Sequence, residues 1–465
     1  MHSAVATADG RLSSAAGSSA RLWITDRAWL SGVAGALAVV LCAAWFNTYA
    51  VLERGLNLGG WRVTDNRLDS ILAALVFSAA VMLLVEVVRL RLWHGRQYFS
   101  IDPLLRRGDW LKFVLTAGLH YAVYVGMLGL VVFFFHSAGE YGFKRHAAYY
   151  QPWFHLLDIV WTAWLWGGLP YVLLTRAVKN DAEADRLDLA QSAIKVLSRL
   201  VGTRKKFADS DRKNGRALLV KLFFTPLMTV FFVDQFPHLV SNIGYLFDGL
   251  PKAIAQNHYS HRQFNLDLFN MTVALVFSID VALAWCGYMV SSRWMDNQTV
   301  SAEPTLRGWM VCLICYPPFQ MFLGLYYGAP GEREVLNLGS PWIVSLFTVM
   351  MLASYLVYVA ATTHFGVRFS NLTNRGIIRT GLYGLVRHPA YAAKNFAWWC
   401  VMFPVIVFRG FHGDWKIALA QVLGLLLMTW IYYWRALTEE QHLSLHEDYR
   451  NYRQQVRYRF VPGVW

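Results

Sequence analysis

The sequence predicts an all-α, polytopic integral membrane protein, because its composition and its apolar runs both exclude a soluble fold. Hydrophobic residues make up 56% of the 465-residue chain and charged residues 15%, against roughly 45–50% and about 25% in soluble domains. So few charges do not cover a water-exposed surface. The 20 Trp, 29 Phe and 23 Tyr add aromatic rings of the kind that collect at the two bilayer interfaces.

Ten apolar runs have the length of about 20 residues that crosses the hydrocarbon core of a bilayer. They are 28–52, 68–88, 113–135, 153–175, 217–236, 265–289, 308–328, 341–363, 390–408 and 416–434. The fifth run is the least regular, because Lys221, Pro226, Asp234 and Pro237 interrupt it. It either crosses the bilayer or forms a re-entrant piece. The sequence thus predicts about ten transmembrane helices.

The placement of the basic residues predicts the side on which each loop lies. With ten crossings, about three quarters of the 43 Lys and Arg fall on the side of the N-terminus, as the positive-inside rule expects of a cytoplasmic face. Both termini are therefore predicted to be cytoplasmic. The net charge of +14 is then explained by anionic headgroups beside that face, and no nucleic-acid partner is needed.

Two polar segments lie outside the apolar runs. Residues 1–27 are rich in Ala, Ser and Gly and are predicted to form a disordered cytoplasmic tail. Within residues 179–216, Leu187, Ala190 and Ile194 recur at helical spacing, which predicts an amphipathic helix on the membrane surface, or alternatively one that docks a partner. The five Cys all lie in apolar runs, which excludes a secreted disulfide framework.

Ionisable residues inside the apolar runs are candidates for function, because each must find a partner or a water-filled cavity. They are Glu86, His120, Asp158, Asp280 and His364. Asp280, near the centre of its run, is compatible with a structural hydrogen bond as well as with a substrate site. Three histidines lie in the outer loops. Histidines are common in loops, so no metal site is predicted from them. They are His238, His258 and His261.

The last hundred residues carry the most specific pattern. The string RTGLYGLVRHPAY, residues 379–391, leads into the ninth run with Pro389 at the first helical position. The start of such a helix points free amides at the cytosol, where a carboxylate or phosphate binds well. At the end of the tenth run, Arg435 and Glu439 share a helix face, and Glu440 is expected to face solvent beside them.

Both signs of charge therefore stand beside the bilayer at two adjacent helix ends. This combination suits a cytosolic, zwitterionic cofactor. Snorkelling arginines and an interfacial aromatic belt are the alternative explanation. That alternative leaves the paired glutamates unexplained, since acidic groups are costly in and near a bilayer.

This pattern of RHPAY, one hydrophobic hairpin, EE, DYRNY and VRYRFVPG resembles the isoprenylcysteine carboxyl methyltransferase and phospholipid methyltransferase superfamily over about residues 366–465. The resemblance implies S-adenosylmethionine as the cofactor. The residues that it assigns to cofactor binding are Arg387, His388, Pro389, Tyr391, Glu439 and Glu440. Ala393 stands where the family usually has Gly, which affects how closely the backbone can be approached there.

A weaker resemblance connects the same region with the ten-span sterol reductases, which use NADPH. Those enzymes carry an Asn before the Tyr of the RHPxY string and an Asp three residues after it, where this chain has Ala390 and Lys394. The paired glutamates Glu439 and Glu440 also favour the methyltransferases. An NADPH-dependent reductase of sterol or isoprenoid double bonds is the alternative function.

The methyltransferase resemblance also implies a division of the chain. Residues 28–363, with about eight helices, are expected to shape or deliver the substrate, and residues 364–465 to form the catalytic module. Arg435, Arg457 and Arg459 are the candidate catalytic residues, the last two for an anionic headgroup or a substrate carboxylate.

The expected acceptor is a lipid or lipid-linked molecule. It would be methylated at the cytoplasmic face of a bacterial inner membrane or a eukaryotic endomembrane. A transporter or sensor with an inactive catalytic module is the third class.

Overall fold

The computed structural model describes residues 24–92, 101–142, 144–178, 189–200, 209–257, 259–321 and 332–464. Its α-helices are Trp29–Thr48, Val51–Arg54, Arg67–Arg89, Pro103–Arg106, Trp110–Ser137, Gly139–Gly142, Lys144–Ala177, Leu189–Leu200, Asp209–Gly244, Leu250–Ala255, His261–Met289, Leu306–Leu313, Pro341–Thr363, Pro389–Phe411, Trp415–Leu443 and Glu447–Gln455. A π-helical turn, Tyr245–Gly249, joins two of them, and short 3-10 turns are Arg293–Met295, Glu332–Asn337, Gly366–Arg368 and Gly381–Gly384. The predicted all-α class is confirmed.

Strands in the described ranges are limited to two antiparallel pairs of two residues each. Asn57–Leu58 pairs with Trp61–Arg62. Ser301–Ala302 pairs with Thr373–Asn374, and this second pair matters for the site because it ties together two loops that are far apart in sequence.

Nine helices of the described chain are long and apolar enough to cross a membrane, so the predicted multi-pass membrane protein is confirmed. The irregular fifth run belongs to one continuous helical stretch, Asp209–Ala255. The seventh run begins with the short helix Leu306–Leu313, and residues 322–328 of that run lie outside the described ranges. The side on which each loop lies stays a prediction.

The chain forms two compact units, residues 1–86 with 231–465 and residues 87–230. In the second unit, the predicted amphipathic insert contains the helix Leu189–Leu200, where Lys195 donates to Asp211 at 3.1 Å. The basic residues 204–206 of the insert, and residues 1–23 of the predicted tail, lie outside the described ranges. The predicted boundary at residue 364 falls inside the first unit.

The core of the first unit lies between three long helices, His261–Met289, Pro341–Thr363 and Pro389–Phe411. Met351 and Ala397 are fully buried there. Because lipid tails are as apolar as these side chains, close van der Waals packing holds together the helices that carry the site.

Hydrogen bonds show that the first two of these helices run in the same direction. Near their starts, His261 Nε2 lies 2.6 Å from Ser345 Oγ. Near their ends, the Tyr358 hydroxyl donates to Asp280 Oδ2 at 2.7 Å and Thr362 to Asp280 Oδ1 at 2.8 Å. Asp280 therefore has a structural role between the two helices.

The other candidates from the apolar runs have varied surroundings. Glu86 is buried and accepts a hydrogen bond from Ser31 Oγ at 2.6 Å. His120 lies 2.6 Å from Arg176 Nη1, and His364 Nδ1 lies 2.7 Å from its own helix at Ala360 O. Asp158 is exposed on its helix. None of these five candidates lines the pocket described below.

Buried arginines hold the loop between Thr363 and Pro389 in place. Arg368 donates to the Met295 carbonyl at 2.9 Å, and Arg375 donates to the carbonyls of Val290 and Asn297 at 2.6 and 2.7 Å. Since buried carbonyls need donors, these side chains fix the loop 364–388 against the loop 290–305.

Candidate functional site

The C-terminal tail closes the start of the helix Pro389–Phe411. The amide of Arg387 donates to the Tyr458 carbonyl at 3.0 Å, and the amide of His388 donates to the Arg459 carbonyl at 2.9 Å. Pro389 takes the first helical position as predicted, because its missing N–H costs nothing there. The two amides just before the helix are thus bound to the tail.

Glu440 is the centre of a buried ion-pair network. Its Oε1 atom accepts from Arg387 Nε at 2.9 Å and from Arg459 Nε at 3.0 Å, and it lies 3.1 Å from His388 Nε2. The other carboxylate oxygen accepts from Arg459 Nη2 at 3.1 Å. A carboxylate with this many cationic donors is held in its ionised form.

The expectation that Glu440 faces solvent is wrong, since only 3% of the residue is exposed. The physical reason is that two arginines and the His388 ring surround the carboxylate and replace its hydration. Arg387 also binds the C-terminal tail, because its Nη1 atom donates to the carbonyls of Val456 and Arg457 at 2.8 and 2.6 Å. This network joins the tail to both helix ends.

Two tyrosines anchor the tail helix Glu447–Gln455 against the same region. The Tyr452 hydroxyl donates to the Tyr383 carbonyl at 2.7 Å. Burial raises the pKa of Tyr449 and of Tyr452 above the usual range for phenols, so both stay neutral.

A pocket with an empty volume of about 1350 Å³, including its open mouth, lies beside this network. Its wall combines polar side chains with aromatic rings. The side chains that line the pocket include Glu303, Tyr316, Tyr358, Asn371, Tyr391, Lys394, Tyr432, Arg435, Glu439 and His442. Glu440 does not belong to the lining of this pocket, whereas its neighbour Glu439 does.

Arg435 and Glu439 bring opposite charges to one wall of the pocket. The Arg435 guanidinium lies 5.0 Å from the Tyr391 ring centre and 5.2 Å from that of Tyr432, and Nη2 donates to Asn371 Oδ1 at 2.8 Å. Glu439 accepts from the Tyr391 hydroxyl at 2.8 Å, and 40% of its side chain is exposed. One helical turn separates the two charges, as the spacing predicts.

The predicted site residues therefore divide into three groups: those that line the pocket, those behind it, and those that do neither. The residues that line the pocket are Arg387, His388, Tyr391, Arg435 and Glu439. Glu440 and Arg459 lie behind the pocket, in the network that Arg387 and His388 also join. Pro389 and Arg457 form the third group.

Pro389 is buried at the helix start and does not line the pocket. Arg457 points outward, because its side chain is exposed and only its carbonyl takes part in the network.

Sequence analysis did not identify several residues of the pocket wall. Glu303 and Asn371 lie in loops that the strand pair joins, and no local pattern marks them. In the sequence, Lys394 stands out only because it departs from the reductase pattern. In the structure it lines the pocket, and its Nζ lies 5.3 Å from the Tyr358 ring centre.

Residues 325–456 match a sequence family described as "Protein of unknown function (DUF1295)". The match spans the helices Pro341–Thr363, Pro389–Phe411 and Trp415–Leu443 and the loop 364–388. Most of the residues that line the pocket lie within the matched range. No curated protein and no solved structure matches the chain.

Proposed function

We propose that the protein is an integral membrane methyltransferase that uses S-adenosylmethionine and methylates a lipidic or amphipathic acceptor. One observation carries the proposal. Arg435 and Glu439 present opposite charges from one helix face to the same aromatic-walled pocket. An amino-acid group with one carboxylate and one ammonium is complementary to such a pair.

The residues of the wall fit each charged part of this cofactor. The guanidinium of Arg435 suits a carboxylate, because its fixed fork binds two oxygens at once. The carboxylate of Glu439 suits an ammonium. The Tyr316 and Tyr432 rings hold the Arg435 guanidinium over their faces, at 5.6 and 5.2 Å from the ring centres. When bound, the cofactor supplies an electrophilic methyl group on a sulfonium.

The alternative cofactor, NADPH, carries several phosphate charges. The pocket wall has two carboxylates, Glu303 and Glu439, and five basic side chains, Arg368, Arg375, Arg387, Lys394 and Arg435. Arg368 and Arg375 donate to backbone carbonyls, and Arg387 donates to Glu440. The methyltransferase proposal therefore rests on the pair of Arg435 and Glu439 and not on the total charge of the wall.

A lipidic acceptor is supported by where the pocket is built. The ends of two apolar helices, Pro389–Phe411 and Trp415–Leu443, form part of its wall, together with the loop 364–388. An acceptor anchored in the bilayer keeps its apolar part in hydrocarbon while its headgroup enters the pocket. This avoids a cost of about 0.8 kcal/mol for each CH₂ drawn into water.

Cofactor binding to the purified full-length protein tests the proposal. S-adenosylmethionine and NADPH should be titrated side by side, and binding of the first alone is expected. Glu439→Gln should weaken it by roughly 10- to 100-fold, since a charge-assisted contact contributes about 1.5–3 kcal/mol. Glu53→Gln, at an exposed glutamate outside the pocket, is the matched control. NADPH binding without S-adenosylmethionine binding would refute the proposal.

The product is tested by mass spectrometry of membrane extracts with and without the active enzyme. A lipid heavier by one methylene unit is expected. A lipid heavier by two hydrogens would instead indicate the reductase. A change confined to water-soluble metabolites would contradict both functions.

A further inference from the structure

Two histidines and one serine form a continuous chain of hydrogen bonds beside the pocket. Ser301 Oγ lies 2.9 Å from His442 Nε2 and 2.7 Å from His446 Nε2. The serine comes from the strand Ser301–Ala302, and the histidines come from the end of Trp415–Leu443 and the turn after it. The three side chains meet only in the folded protein.

The two ends of this chain open into different cavities. His442 lines the pocket that holds Arg435 and Glu439. His446 lines a second cavity, with an empty volume of about 680 Å³, together with Asp296, Glu447 and others. The hydrogen-bonded chain therefore passes through the wall between a candidate reaction site and a second polar space.

The hydroxyl of Ser301 can be ordered in two ways between the two imidazoles. A hydroxyl donates one hydrogen bond and accepts up to two, so Ser301 either accepts from one Nε2–H while it donates to the other Nε2, or accepts from both. Only the first arrangement conducts a proton along the chain. In that arrangement the two neutral imidazoles are opposite tautomers.

We propose that His442, Ser301 and His446 form a proton exit from the pocket, and that the methyl acceptor is a group that loses a proton on methylation, such as a hydroxyl or a primary or secondary amine. This inference rests on the proposed methyltransferase function. A carboxylate acceptor is already ionised at neutral pH and releases no proton on methylation. A hydroxyl or a primary or secondary amine must lose one, so such an acceptor needs an exit for the proton.

The atoms and electrons of the step balance as follows. The acceptor oxygen or nitrogen gives an electron pair to the methyl carbon, and a new C–O or C–N bond forms. The S–C bond breaks with its pair on sulfur. The acceptor proton goes to His442 Nδ1, the Nε2 proton of His442 passes to Ser301, and the Ser301 proton passes to His446 Nε2. His446 releases its Nδ1 proton to the second cavity, and the chain is left with its hydrogen bonds reversed.

The charges around the chain favour transfer in this direction. Glu303 Oε2 lies 3.8 Å from His442 Nδ1, which stabilises a proton arriving there, while Glu303 Oε1 accepts from the Thr305 amide at 2.9 Å. Burial lowers the pKa of His446, so this ring gives its proton up. Other titratable groups also line the two cavities. They are Glu439 in the pocket wall, Arg368 and Arg375 in the lining of both cavities, and Asp296, Glu447, Asp448 and Arg450 around His446.

The tautomers can be measured without cofactor or substrate, by ¹⁵N NMR of histidine-labelled full-length protein. Opposite tautomers are expected for His442 and His446 in the wild type. Ser301→Ala should abolish this relation, and Ser301→Thr, which keeps the hydroxyl, should restore it. Ser345→Ala is the matched control, because Ser345 bonds His261 in a separate Ser–His pair and should change only the His261 signal. Identical tautomers in the wild type would overturn the proton exit.

Turnover provides the second arm of the test. Ser301→Ala should lower kcat by about tenfold or more with little change in the KM for the cofactor, and added imidazole should recover part of the loss. Unchanged kcat in Ser301→Ala would overturn the inferred acceptor class. S-adenosylmethionine binding is measured separately, so failure of the proton exit is distinguishable from failure of the proposed function.

Discussion

Glu439 and Glu440 are neighbours in the chain but occupy different environments. Consecutive residues of a helix point about 100° apart, so one carboxylate reaches the pocket and the other reaches the network of Arg387, His388 and Arg459. Ligand binding is therefore expected to depend on Glu439, and folding on Glu440.

Replacing Glu440 by Gln should destabilise the protein by about 3 kcal/mol or more, because two arginines would remain buried without their anion. Thermal unfolding in detergent measures this. Glu439→Gln is the control, since its side chain is 40% exposed and its loss should leave the unfolding temperature nearly unchanged. Equal unfolding temperatures for the two variants would contradict the assignment.

The stability of the protein should also fall on acidification because of His446. Burial lowers the pKa of His446 below 6.5 in the folded protein, whereas the unfolded chain binds a proton near pH 6.5. The stabilising contribution of neutral His446 is complete above that value and is lost as the pH falls below it. Between pH 7.5 and pH 5.5, the unfolding temperature of the wild type should fall more than that of His446→Gln. Parallel curves would count against this prediction.

At the scale of elements, the C-terminal tail acts as a clamp on two helix ends. Its carbonyls accept from Arg387, its backbone bonds the start of Pro389–Phe411, and Arg459 reaches Glu440 at the end of Trp415–Leu443. The hydrogen bond to Glu440 raises the pKa of Arg459, so this arginine stays charged. The tail thereby fixes the pocket wall, to which its helix Glu447–Gln455 contributes Tyr449 and Tyr452.

Arg459→Ala should lower the free energy of unfolding by roughly 1.5–3 kcal/mol, the usual contribution of a hydrogen bond to a charged group. Only 13% of the Arg459 side chain is exposed. Arg457→Ala is a matched control two residues earlier, because that side chain points into solvent. Chemical denaturation of both variants in the same detergent would show the difference, and a larger loss for Arg457→Ala would disprove the clamp.

At the scale of the whole molecule, the parallel pair of helices bears on the number of crossings. His261–Met289 and Pro341–Thr363 contact each other at their starts and at their ends. If both helices cross the bilayer in the same direction, the first ends on the side opposite to the one where the second begins. The chain between them must then cross the bilayer once more, which supports a tenth crossing. Asp26, just before the first helix, accepts from Arg379 Nε at 2.8 Å. Within the first unit, the start of that helix therefore lies on the same side as the C-terminal tail.

Reporter fusions at both termini should therefore report the cytosol, and a fusion at Gly339 should report the opposite side. The positive-inside bias predicts which side is the cytosol. The parallel helix pair supports an even number of crossings, which places both termini on one side. A reporter fused at the neighbouring Ser340 is the control and should report the same side as the fusion at Gly339. Termini on opposite sides would contradict the tenth crossing, and a C-terminus outside the cytosol would also remove a cytosolic cofactor.

The sequence by itself determined the membrane class, the helices and the region of the site. These depend on local properties: composition, runs of about 20 apolar residues, and the adjacency of RHPAY and EE to two helix ends. The i, i+4 spacing of Arg435 and Glu439 already placed both on one helix face, and the structure shows them at one pocket wall.

Only the tertiary structure decided which charges are available to a ligand. Glu440 and Arg459 were expected at the site, but they neutralise each other because the tail folds back over 19 residues. Ser301 meets His442 and His446 across 141 and 145 residues. No local pattern encodes such a meeting, since it depends on how the loops pair and on how helices pack.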